Sequence, residues 1–133
     1  MKDLTVSNID RQNVLNNHVA LQAIQEYIGL SGMFFNEEYV FTKDMLSSFY
    51  NISESTIERY LESSELELKH NGYQVLKGKK LKEFKDQFGN IINITSKTPQ
   101  LGIFNFRAFL NLGMLLVESE MARALRSKIL DIV

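Results

Sequence analysis

The chain has no cysteine, and that absence removes three classes of chemistry together: a disulfide framework, a thiolate zinc site and a cysteine nucleophile. It also suits a reducing compartment. No run approaches the roughly 20 apolar residues that cross a bilayer. Met1-Lys2-Asp3 lacks the basic-then-apolar opening of a secretory leader. We therefore expect a cytoplasmic protein without a membrane partner. Glycine-rich phosphate loops are missing too, because Gly78-Lys79 lacks the preceding glycine run. There is no Gly-x-Ser-x-Gly elbow and no catalytic pair of carboxylates stands out. His18 and His70, without cysteine, make no zinc spacing. The expectation is a non-enzyme with no cofactor, no metal and no small-molecule substrate.

Charge of one sign is also lacking, since the net charge over 133 residues is −1. That excludes coating of nucleic acid by bulk charge. The distribution is uneven, however. Between Met33 and Glu67 there are eight acids and two bases, and between Leu68 and Lys85 six lysines and one acid. Such a lysine run reads either as a solvated helix face or as an electropositive edge.

What is present is an apolar fraction of 44%, ordinary for one globular domain of this length. Val14, Leu21, Ile24 and Ile28 lie on one stripe and predict a helix over 8–28, closed by Gly29 or Gly32. Met33-Phe34-Phe35 and Tyr39-Val40-Phe41 flank a polar turn and predict two short strands. Leu66 to Leu68 and Tyr73 to Leu76 flank Asn71-Gly72, a pair suited to a tight hairpin. A helix over about 79–87 ends at Gly89. Ile91 to Ile94 reads as a strand, and Pro99 lies in a loop. Ile103-Phe104 is a second strand before a helix over 106–117 capped by Asn105. Gly113 within that helix marks close packing against the final helix, the central helix pair or a second subunit. Ser119 caps a last helix whose stripe, Met121, Leu125, Ile129 and Ile132, is still in phase at Val133. From this we expect a single domain over 1–133 that is the N-terminal piece of a longer protein.

The most specific stretch runs from Phe41 to Leu61. Thr42 suits the cap of a first helix, and Leu46 points to its core side. Ser47 is small where two helices approach. Asn51 tolerates the left-handed turn position. Ile52 plugs the turn, Ser53 caps a second helix, and Ile57, Tyr60 and Leu61 return it to the core. Small residue, left-handed position, hydrophobe, cap and hydrophobe in this order form the repressor-type helix-turn-helix pattern. Some such units only build cores or dimer interfaces. In the DNA-binding reading, the second helix enters the major groove and presents Glu54, Ser55, Glu58 and Arg59. Arg59 suits a phosphate or guanine, and Ser53, Ser55 and Thr56 suit phosphate or base contacts. Lys69 lies at the tip of the expected wing hairpin, followed by Lys77, Lys79, Lys80, Lys82 and Lys85, all candidates for phosphate contact. Glu54 and Glu58 oppose phosphates unless they pair with Arg59 or accept from a cytosine amine.

The Thr42 to Leu61 unit, the Asn71-Gly72-Tyr73 hairpin and the block from Leu101 to Val133 resemble the N-terminal region of RhuM-like proteins of bacteria and prophages. The last block is also distantly similar to the end of the Bro-N domain of phage antirepressors. The resemblance covers about residues 20–133. It implies DNA binding and carries no catalytic residue across. The expected fold is α+β and predominantly helical: a winged helix-turn-helix with short β-hairpins and two C-terminal helices. The expected partners are double-stranded DNA, contacted in a transcriptional or phage-type regulator, and a second copy in a homodimer. The rival expectation is a protein-interaction module of the antirepressor or antitoxin type, whose acidic second helix meets a basic partner.

Overall fold

The structure is a computed structural model that describes residues 3–30, 32–89 and 99–133. Among these residues it is α+β, with eight helices and one four-stranded antiparallel sheet. The expected strand at Ile91 to Ile94 lies outside the described residues.

The N-terminal segment forms two helices rather than one, α1 (Asn8–Leu15) and α2 (His18–Ile28). The break is chemical. Asn16 ends α1, and the Asn17 side chain accepts the Ala20 amide to cap α2, the role asparagine plays best. Val19, the second residue of α2, is exposed. Gly29, in left-handed conformation, closes α2.

Strands β1 (Met33–Phe35) and β2 (Glu38–Thr42) form the expected hairpin, with Asn36 and Glu37 both at positive φ. Thr42 ends β2 and caps α3 (Lys43–Tyr50), accepting the Met45 amide at 3.2 Å. Helix α4 (Glu54–Ser63) follows after three residues, then α5 (Glu65–His70). The hairpin expected across Asn71-Gly72 is absent, because Leu66 to Leu68 is helical. Only Gly72 has positive φ; Asn71 lies at −93° and ends α5. Strand β3 (Gln74–Lys77) instead pairs with the distant β4 (Gln100–Asn105), giving the sheet order β1-β2-β4-β3.

Alternation along the strands sends side chains to two cores. Phe41 and Phe104 join the larger core with residues of α1, α2, α3, α4, α5, α7 (Phe106–Leu115) and α8 (Glu120–Ile132). Phe35, Val40, Leu76 and Ile103 face the other way, onto Leu81, Phe84 and Phe88 of α6 (Gly78–Phe88). Met45 touches both cores. The caps expected for α7 and α8 are present: Asn105 accepts the Ala108 amide at 2.9 Å, and Ser119 accepts the Ala122 amide at 3.0 Å. No helix of the described residues is long and apolar enough to cross a membrane.

Candidate nucleic-acid interface

The turn between α3 and α4 is Asn51-Ile52-Ser53. Asn51 has φ 54° and ψ 52°, the left-handed conformation that lets the chain reverse within three residues. Its amide and that of Ile52 both donate to the Ser47 carbonyl, while the Ser47 hydroxyl donates back to Ile52 O at 2.5 Å. Ser47 therefore ties both strands of the bend as well as being small. Ser53 accepts the Thr56 amide at 3.2 Å and shares a hydrogen bond with the Thr56 hydroxyl at 3.0 Å. Ile57 is fully buried, and Tyr60 and Leu61 are half-buried.

The outward side of α4 carries Glu54, Ser55, Glu58, Arg59 and Glu62, all exposed. Glu54 lies in the first turn, where the helix dipole stabilises a carboxylate. Glu58 pairs with Lys43 of α3 at 2.9 Å, not with Arg59. Arg59 is engaged elsewhere. Its Nη2 donates to Glu118, in the segment joining α7 to α8, and its guanidinium lies 5.3 Å from the centre of the Tyr60 ring. Tyr60 Oη donates to the same carboxylate at 2.5 Å and accepts the Val117 amide at 3.3 Å.

The lysine candidates fall into two groups. Lys69 sits in the last turn of α5, not on a hairpin tip, and its Nζ pairs with Glu65 at 2.7 Å. That hydrogen bond and charge raise the ammonium pKa and lower that of the Glu65 carboxyl. Lys77 ends β3, and Lys79, Lys80 and Lys82 occupy the start of α6, all exposed. Lys77 is also the N-cap residue of α6, and no side chain caps that helix. Helix α6 rests on β3 and β4 against the smaller core, whereas α4 rests on α3 and α5. Lys77, Lys79, Lys80 and Lys82 thus follow one another from the end of β3 into α6, while Lys69 lies on α5, next to α4.

Residues missed from sequence are Lys43, Tyr60 in its polar role, and Glu118. The 59-residue separation of Arg59 and Glu118 gives no local signal. Compared with known proteins, the chain matches no family model, no curated protein and no solved structure.

Proposed function

We propose that this domain binds double-stranded DNA through a helix-turn-helix formed by α3 and α4, as part of a RhuM-like regulator. The observation that carries the reading is the left-handed Asn51 turn joined to an α4 whose outward residues 54, 55, 58 and 59 are exposed rather than packed inside. A groove-entering helix needs that free leading end. Ser53, Ser55 and Thr56 at the start of α4 supply hydroxyls and helix amides for a phosphate. Arg59 supplies the guanidinium for a guanine or a second phosphate. Lys77, Lys79, Lys80 and Lys82 supply backbone contacts further along the duplex.

Titration of the purified domain against a randomised duplex pool at low salt tests the reading. Binding is expected, and Arg59→Ala weakens specific binding by about 1–3 kcal/mol. No binding to duplex DNA would sink it. A second reading, docking of a basic protein segment on α4, is favoured by the three glutamates of its outward face, Glu54, Glu58 and Glu62. In that case the charge reversals Glu54→Lys and Glu58→Lys abolish partner capture, whereas on the DNA-binding reading they remove repulsion from the groove-facing side and tighten duplex binding.

A further inference from the structure

We propose that Glu118 restrains the DNA-binding face of α4 by holding Arg59, so that phosphate must displace a built-in carboxylate before the arginine can engage. The inference rests on the DNA-binding reading above. Arg59 is the one cation of α4, and an exposed arginine on such a face would ordinarily be solvated and free. Here it is laid over the Tyr60 ring and bonded to Glu118.

The carboxylate is itself held in place. Tyr60 Oη donates to its other oxygen at 2.5 Å, and the Val117 amide donates to the same phenol at 3.3 Å. The next residue, Ser119, donates its hydroxyl to the Tyr50 carbonyl at the end of α3 at 2.7 Å. Both sides of Glu118 are therefore tied to the helix pair, Val117 through α4 and Ser119 through α3. The consequence is electrostatic. With Arg59 neutralised by Glu118 and Lys43 by Glu58, the charges that α4 shows outward without an ion-pair partner among the described residues are those of Glu54 and Glu62. A phosphodiester approaching that face meets repulsion until the Arg59–Glu118 pair opens.

Glu118→Gln keeps an acceptor for Tyr60 Oη while removing the competing charge. Fluorescence anisotropy with the randomised duplex pool at low salt is expected to show Glu118→Gln binding about two- to fivefold tighter than the parent, the range set by opening one exposed ion pair. The gain should vanish when Arg59→Ala is added, giving the affinity of Arg59→Ala alone. Glu120→Gln is the control. It removes an equal charge two residues away, where the carboxylate stands 3.9 Å from Arg123, and should leave affinity near the parent value. Should Glu118→Gln lose its helical circular dichroism, Glu118→Ser, too short to reach Arg59, replaces it. A parent that binds while Glu118→Gln binds no tighter overturns the restraint, as does an equal gain from Glu120→Gln or a gain that survives without Arg59. Failure of every variant and the parent to bind duplex overturns the DNA-binding reading and this inference with it.

Discussion

Gly113 lies in the last turn of α7, where a methyl group would run into the hydroxyl and ring of Tyr50. Tyr50 is fully buried, and its hydroxyl donates to the Phe109 carbonyl at 2.8 Å, one turn before the glycine. Burial raises the phenol pKa well above its ordinary value, so it remains a donor. Gly113→Ala is therefore expected to destabilise by about 1–3 kcal/mol, although alanine has the better helix propensity. Combined with Tyr50→Phe, which removes the atom met first, the loss should be smaller than the sum of the two single losses. Thermal denaturation of the four proteins checks this, and strict additivity would show that the two side chains do not collide. A glycine inside an apolar helix signals close approach from sequence alone. The identity of the neighbour does not follow, because Tyr50 lies 63 positions away. Asn51 and Ser53 are different. Their tasks involve atoms within five residues, so the letters suffice to assign them.

The same contrast separates helices read well from those read badly. Thr42, Ser53, Asn105 and Ser119 each cap the helix they precede, since capping is local chemistry. Asn16-Asn17 carried an equally local signal, which the long apolar stripe across it obscured. Helix α5 carried a weaker one, and a distant partner decides it. Arg11 of α1, itself buried, donates from Nε and Nη2 to the two oxygens of Glu67 at 2.7 Å each. Asn111 of α7 donates to Glu67 at 2.6 Å, and Asn71 donates to Asn111 at 2.8 Å. Helical geometry at 65–70 aims Glu67 at this cluster. A hairpin would leave a buried guanidinium unpaired. Burial pushes the Glu67 pKa up, but the hydrogen bonds from Arg11 and Asn111 and the Arg11 charge outweigh it and hold the carboxyl below its ordinary 4.5. A depressed carboxyl stabilises the fold fully above that ordinary value, and the contribution is lost as pH falls through the lower folded value. Glu67→Ala is expected to cost about 3–5 kcal/mol near neutral pH, whereas Arg11→Met with Glu67→Leu recovers most of it. Chemical denaturation between about pH 5 and pH 3 should show the parent losing stability faster than that double variant. Parallel curves would mean the pair does not set the acid response.

A lysine cluster following an acidic helix in sequence suggests one continuous surface, but in the folded chain α6 packs on the smaller core and α4 on the larger. Register places Gln74 level with Ile103, which is level with Thr42 at the start of α3. Lys77 is three residues further on, about 10 Å along an extended strand. Helix α6 then turns beneath the sheet on the smaller core. Lys79 and Lys80 stand on that helix and not on the α3–α4 pair, while Lys69 is already paired with Glu65. If one duplex spans both places, Lys79→Ala with Lys80→Ala makes the slope of log affinity against log salt shallower by about 1.8, two phosphate contacts' worth. Lys69→Ala leaves the slope at the parent value. Anisotropy titrations across a salt series measure both. An unchanged slope in the double variant would put the α6 lysines off the DNA. Binding would then fall to the hydroxyls at the start of α4 and to Arg59, too few cations for a face bearing Glu54, Glu58 and Glu62. The protein-docking reading of α4 would in that event be the stronger of the two.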